Sequence, residues 1–166
     1  MAKLDELVKE FLSGNANAFD LIYEETKHSV YLSIYSIIQN RSTIDDLMQD
    51  TYLKALDSIS SYKLGSNFKA WISKIAHNNA INHYNKYSKV TMLDDEHVEL
   101  ISANDSTPLI DSALEILDGK EKDIFIYRIV LDYKFKDIAN ILDINLKTAF
   151  YLYKKAINKI KIKENL

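Results

Sequence analysis

Ile44-Asp45-Asp46-Leu47-Met48-Gln49-Asp50-Thr51-Tyr52-Leu53-Lys54-Ala55-Leu56 is the stretch on which the reading of this chain turns. Ile44, Leu47, Met48, Thr51, Ala55 and Leu56 recur at helical spacing and define one buried face. Asp45, Asp46, Gln49, Asp50 and Lys54 fall on the opposite face. Ser42 or Thr43 is the expected N-cap, because a short hydroxyl side chain accepts a first-turn N–H. Upstream, Leu4, Leu7, Val8, Phe11 and Leu12 form a short apolar face that Ser13-Gly14-Asn15 stops. A second helix starts at Ala18, Phe19, Ile22 and Tyr23 and continues through Val30, Ile34, Ile37 and Ile38 to Asn40. Downstream, a loop spans Ser60 to Asn67, and Phe68, Trp71, Ile72, Ile75, Ala76 and Ile81 carry a further helix.

Helical periodicity lapses from residue 90 to 108. Asp94, Asp95, Glu96 and Glu99 are followed by the turn-forming run Ser102-Ala103-Asn104-Asp105-Ser106-Thr107-Pro108, the composition of a flexible acidic linker. Helices are expected over Leu109 to Leu117 and Lys120 to Leu131, with a break at Asp118-Gly119. Phe135 to Leu142 then reads as a short helix with Ile138, Ile141 and Leu142 inward. Asp143-Ile144-Asn145 makes a turn, and Leu146 to Ile160 a second helix with Ala149, Leu152, Ala156 and Ile160 inward. Ala139 is the small residue needed where two helices cross closely. The expected fold is all-α, with helical domains at 1–89 and 109–166, the second containing a helix-turn-helix. Such a motif can lay the start of its second helix in a DNA major groove.

Composition supports this architecture. Three glycines and one proline in 166 residues leave few of the turns a sheet-rich fold requires. With no cysteine, disulfides and thiolate zinc sites are excluded. No apolar run reaches membrane-spanning length and no signal-peptide core opens the chain, so membrane insertion is not expected and a cytoplasmic location is. The net charge of −3 hides strong segregation. No acid lies between Asp57 and Asp94, where Lys63, Lys69, Lys74, Lys86 and Lys89 stand. Between Asp143 and Glu164 there are again only cations: Lys147, Lys154, Lys155, Lys159, Lys161 and Lys163. Two basic segments in a mildly acidic chain suit two phosphate-binding surfaces, although lysines also solvate helix faces.

The 44–56 segment resembles the polymerase-binding helix of bacterial sigma factors, in the extracytoplasmic-function (ECF) group of the sigma-70 family. There the pattern is a small or apolar residue, two acids, Leu-Val, Gln-Glu, Thr-Phe-Leu, Arg-Ala. Phe68, Trp71-Ile72, Ile75-Ala76-His77-Asn78 and Ile81-Asn82-His83 follow the family's next motif. Ala113-Leu114, Leu117, Ile124-Phe125, Arg128, Phe135-Lys136-Asp137-Ile138-Ala139 and Ile141 to Thr148 are similar to its promoter-reading domain. Three motifs in the same order, across nearly the whole chain, are far more specific than any one.

The resemblance implies a factor that binds bacterial core RNA polymerase and directs promoter recognition and transcription initiation. Asp45, Asp46, Gln49, Asp50 and Leu53 would meet polymerase, acids against a basic helical partner fixing register and encounter. Tyr62, Lys63, Ser66, Asn67, Lys69, Lys74, His77, Asn78, Asn82 and Lys86 would handle the opened −10 element, where a captured base needs a pocket and nearby cations. Trp71 has a claim to that pocket and, being in phase with Phe68, Ile72 and Ile75, another to the core. Lys136, Lys147, Thr148, Phe150, Tyr151, Lys154 and Lys155 would meet the −35 element. The acidic linker would lie in a basic polymerase channel or serve as a solvated tether. An anti-sigma protein is a common partner in the family, and no cofactor or metal is implied.

The sequence departs from the family at several contact points. The recognition helix, typically Thr-Val-Lys-Ser-Arg-Leu, here reads Thr148-Ala149-Phe150-Tyr151-Leu152-Tyr153, with aromatic residues in place of cations. Asn82 replaces the usual Asp, His77 the usual Arg and Asn85 a common Arg. Aromatic rings can pack on thymine methyl groups, and tyrosine hydroxyls can bond phosphates. A polymerase-bound modulator that does not initiate alone shares every motif. A stand-alone helix-turn-helix regulator leaves the acidic helix unexplained. Catalysis has no support: His28, His77, His83 and His97 are dispersed, and no glycine-rich phosphate loop exists.

Overall fold

A computed structural model describes residues 2–87 and 108–164, which are helical with no strand. Of the acidic linker expected over 90–108, residues 90–107 lie outside the described residues, and Pro108 instead opens a helix. The helices are α1 (Ala2–Leu12), α2 (Ala18–Tyr35), α3 (Arg41–Ser58), α4 (Phe68–Tyr87), α5 (Pro108–Ile116), α6 (Gly119–Phe125), α7 (Phe135–Ile141) and α8 (Leu146–Glu164). A 3-10 turn, Ile59–Ser61, follows α3, and a π-helical segment, Ile126–Val130, follows α6.

α1 to α4 enclose a core of Val8, Ile22, Val30, Ile34, Ile44, Ile72, Ala76 and Ala80. Part of the buried face of α2 is polar, since Thr26, Ser29 and Ser33 are buried with its aliphatic residues. The Thr26 and Ser33 hydroxyls cost little there. Thr26 Oγ1 donates to the Ile22 carbonyl at 2.7 Å, and Ser33 Oγ to that of Ser29 at 2.6 Å. α2 and α4 pack directly on each other, with the small residues Ala76 and Ala80 fully buried.

Two boundaries differ from the sequence expectation. α2 ends at Tyr35, and Ile37 and Ile38 close its last turn onto the Ile34 carbonyl. The N-cap of α3 is Asn40, not Ser42 or Thr43; its Oδ1 accepts from the Thr43 N–H at 3.0 Å and the Thr43 hydroxyl at 3.1 Å. An Asn with Thr at the third helical position recurs at α8, where Asn145 Oδ1 takes the Thr148 N–H at 2.8 Å. Asn67 caps α4 through the Ala70 N–H at 3.2 Å.

The helix expected over Lys120 to Leu131 widens after Phe125, and the Leu131 N–H reaches five residues back to the Ile126 carbonyl at 3.0 Å. The wide turn sets Tyr127 and Tyr133 in a near-parallel stack, with ring centroids 5.8 Å apart. α7 ends in a reverse turn. Asp143 takes the left-handed conformation (φ 53°), and the Ile144 N–H returns to the Ala139 carbonyl at 3.0 Å. A second core, Ile124, Tyr127, Tyr133, Ile138, Ile141, Leu142 and Ala149, includes Ala70 of α4. Phe125, Ile126 and Ala156 join the first core. The halves on either side of the undescribed stretch are packed together.

Candidate functional site

Three surfaces emerge, one on α3, one on α4 and one on α8. On α3, Asp45, Asp46, Gln49, Asp50 and Leu53 are all exposed, Leu53 by 61%. Beside this row a cleft of about 440 Å³ runs between α2 and α3, lined by Phe19, Tyr23, Met48 and Tyr52 with Asp45 and Gln49 at its edge. Its aromatic wall is firm. Tyr52 sits 4.9 Å from Tyr23 and edge-on to Phe19 at 6.0 Å, and its hydroxyl pairs with Thr26 at 2.8 Å. Burial pushes the Tyr52 phenol well above its ordinary value, so it stays a neutral wall group. The surface is therefore apolar with an acidic rim. Phe19 and Tyr23 were not among the expected contacts; the sequence signal is that Leu21 and Tyr23 interrupt the polar face of α2.

The expected α4 residues divide into three sets. Lys63, Ser66, Asn78, Asn82 and Lys86 are exposed, and Lys69 is half-buried. Tyr62 is buried instead: its hydroxyl lies 2.8 Å from Asp5 Oδ1 and 2.7 Å from the Ser66 carbonyl, and its ring packs against Phe68 and Trp71. Asp5 also accepts the Gly65 N–H at 3.2 Å, tying the 62–66 loop to α1. Burial, with Asp5 alongside, pushes the Tyr62 phenol up to about 12. Trp71 is half-buried in the same cluster.

The third set, Asn67, Lys74 and His77, meets the C-terminal half. Asn67 Nδ2 donates to Asp137 Oδ2 at 3.1 Å, and Lys74 Nζ to Asn140 Oδ1 at 2.9 Å. His77 is buried with its ring 6.3 Å from that of Tyr127, and burial, aided by Lys120, lowers its pKa to about 4. Sequence reasoning missed two exposed rings on the open side of α4, Tyr84 and Tyr87, the latter carrying Lys86 Nζ 5.0 Å above its face. Aromatics interleaved with cations suit stacked, unpaired bases.

On α8, Lys147, Phe150, Tyr151 and Lys154 are exposed, as is Lys136 on α7, and Thr148 is half-buried in the cap. Phe150 is 44% exposed with its ring 4.2 Å from Phe135, and Tyr151 is 63% exposed. Lys155 differs. Its amine pairs at 2.6 Å with Glu121, which also holds Lys159, and both cations hold the Glu121 carboxyl below its ordinary value. Among the described residues no group of His, Cys, Asp and Glu could hold a metal, and no helix is long and apolar enough to cross a membrane.

The family description "Sigma-70 region 2" matches residues 22–90, which take in most of α2 and all of α3 and α4. Over 140 residues the chain is 29% identical to RNA polymerase sigma factor SigV of Bacillus subtilis, an alignment covering 82% of this chain and 84% of that protein. It is 32% identical over 120 residues to ECF RNA polymerase sigma factor BldN of Streptomyces coelicolor, covering 71% of this chain and 45% of that one. Two solved structures share the fold. The sigma factor RpoE of Bartonella quintana, solved with the anti-sigma factor NepR, has a TM-score of 0.71 at 21% identity, covering 89% of this chain and 97% of that one. CnrH, solved with the cytosolic domain of CnrY, also has a TM-score of 0.71, at 16% identity, covering 98% and 97%.

Proposed function

Because the chain belongs to the sigma-70 family, in its extracytoplasmic-function group, we propose that it binds core RNA polymerase and directs it to promoters to initiate transcription. The observation that carries this is the match to sigma-70 region 2 over residues 22–90, the segment that supplies all of the acid-rimmed cleft but Phe19. Asp45, Asp46, Gln49, Asp50 and Leu53 dock on polymerase, with Leu53 and the cleft supplying apolar contact and the acids orienting a basic helix. Lys63, Lys69, Asn78, Asn82 and Lys86 follow the opened −10 strand. Lys136, Lys147, Phe150, Tyr151 and Lys154 read the −35 duplex. Partners are core polymerase, promoter DNA and an anti-sigma protein of the kind held by the solved relatives. The family is regulatory rather than enzymatic, and the protein works in the cytoplasm, where polymerase is.

Affinity capture of purified core polymerase on the immobilised protein tests the docking face. The wild type retains core, and Asp46→Lys/Asp50→Lys, which alters only exposed positions, loses it while keeping its melting temperature. Equal retention by both proteins would remove α3 as the docking face.

A further inference from the structure

We propose that the DNA face of α8 reads the C5-methyl group of pyrimidines in the major groove, carried by thymine or by 5-methylcytosine, rather than the hydrogen-bonding edges of bases. This deepens, and rests on, the reading of α8 as the −35 surface. The outward face at the start of α8 is Leu146, Lys147, Phe150, Tyr151 and Lys154, all exposed. Leu146, Phe150 and Tyr151 are 48%, 44% and 63% exposed, so most of that face is apolar or aromatic. The two lysines flank it, and no acid stands between Asp143 and Glu164. A polyanion that also offers apolar groups is the matching occupant.

Groups that read base edges through paired hydrogen bonds are missing from this face or already committed. Guanine is read best by arginine, and adenine by asparagine or glutamine. No Arg or Gln stands between Asp143 and Glu164. Asn145 Oδ1 accepts from the Thr148 N–H at 2.8 Å and the Thr148 hydroxyl at 2.9 Å, which takes up the acceptor half of an adenine contact. Arg128 donates to Asp132 Oδ1 at 2.8 Å and to the Tyr133 carbonyl at 3.1 Å. Lysines are flexible point charges that suit phosphates. What remains is apolar contact, and the methyl group on pyrimidine C5 is the apolar group the major groove presents. The aromatic surface is also held in place. Phe150 lies 4.2 Å from Phe135, Tyr153 meets Phe135 edge-on at 5.3 Å, and the Arg128 guanidinium covers Phe135 at 5.5 Å. A ring fixed before binding loses little entropy when it covers a methyl group.

The test titrates the full-length protein, whose α8 face is open, against four labelled pyrimidine-rich duplexes of matched sequence. The pyrimidines at fixed positions are thymine, uracil, 5-methylcytosine or cytosine, each opposite its partner purine. Thymine against uracil, and 5-methylcytosine against cytosine, are pairs that differ only in the methyl group. Wild type should bind the methylated member of each pair about threefold or more tightly, as the transfer value of one covered methyl group requires. Phe150→Ala/Tyr151→Ala should erase both preferences, and Tyr151→Ala, at an exposed ring that folding does not need, should reduce them. Lys147→Ala/Lys154→Ala should weaken all four duplexes alike and keep both ratios. A preference in one pair alone would name thymine or 5-methylcytosine as the source of the methyl group. Equal affinity within both pairs, while the lysine variant still weakens all four, would overturn methyl reading and leave the −35 surface standing. Preferences that persist in Phe150→Ala/Tyr151→Ala would overturn it too, since the methyl group would then act through the shape of the DNA. If no duplex is bound, or the lysine variant has no effect, both methyl reading and the −35 reading of α8 fall.

Discussion

Tyr62 and Asp5, 57 residues apart in sequence, meet through a 2.8 Å hydrogen bond that fastens the loop before α4 to the first helix. The same phenol is within 2.7 Å of the Ser66 carbonyl, and the second Asp5 oxygen holds the Gly65 N–H. Loop position is therefore set by α1. Tyr62→Phe should cost about 1–2 kcal/mol, since it removes a hydrogen bond to a charged group and leaves Asp5 half-satisfied. Urea unfolding monitored by Trp71 fluorescence reads the loss directly. Asp5→Ala should cost at least as much, because it frees both Tyr62 and Gly65.

Lysines on α8 should separate by what they touch. Lys155 is held by Glu121, so Lys155→Ala should lower the melting temperature as well as DNA affinity. Lys147 and Lys154 are exposed; replacing either by Ala should leave melting unchanged and reduce the salt dependence of duplex binding by about one ion in the log–log slope. Calorimetry and salt-titrated binding to a −35 duplex distinguish the two.

The aromatic pair on the same helix should separate too. Tyr151→Ala, at a largely exposed ring, should weaken discrimination between T-containing and T-free −35 duplexes with no loss of stability. Phe150→Ala should do the same and also cost about 1 kcal/mol, because its ring packs on Phe135. Equal affinity of both variants for both duplexes would eliminate aromatic readout.

Two buried groups where the N- and C-terminal halves pack together give opposed pH responses. Burial pushes the Asp123 carboxyl up to about 6, despite Ser36, Lys120 and Lys122, which favour its charge. Its folded pKa lies above the unfolded value of 3.8, so its charge opposes folding above about pH 6, and the penalty is relieved as pH falls toward 4. His77 is lowered from 6.5 to about 4, so the stability its neutral form maintains above pH 6.5 is lost as pH falls through that range. Asp123→Asn should therefore lose stability more steeply than wild type between pH 6.5 and 4, and His77→Gln less steeply. Each difference should be roughly 2 kcal/mol at a little over 1 kcal/mol per pKa unit. Melting temperatures across that range check both signs.

The buried faces of α3 and α7 were legible because aliphatic residues at three- and four-residue spacing have one reading: Ile44, Leu47, Ile138 and Ile141 are all core. Thr26, Ser29 and Ser33 were not legible. The Thr26 and Ser33 hydroxyls are satisfied locally on their own helix and Ser29 meets the Tyr133 phenol, which a residue-by-residue polarity reading cannot separate from solvent exposure. The π segment was hidden for a related reason, since one extra residue per turn shifts the helical phase without changing composition. The packing of the two halves on each other is the largest omission. Asn67, Lys74, Asp137 and Asn140 look like surface residues in sequence, and only the packing of α4 on α7 pairs them. Likewise Tyr62, beside lysines and a glycine, reads as a base contact, while its burial depends on a carboxylate far away in sequence.

Run-off transcription on fragmented host DNA, with core polymerase in the presence and absence of this protein, tests the central claim most directly. The account predicts discrete new start sites sharing an upstream element, lost when Asp46→Lys/Asp50→Lys replaces the wild type. No new start sites from a core preparation that responds to another sigma factor would contradict it.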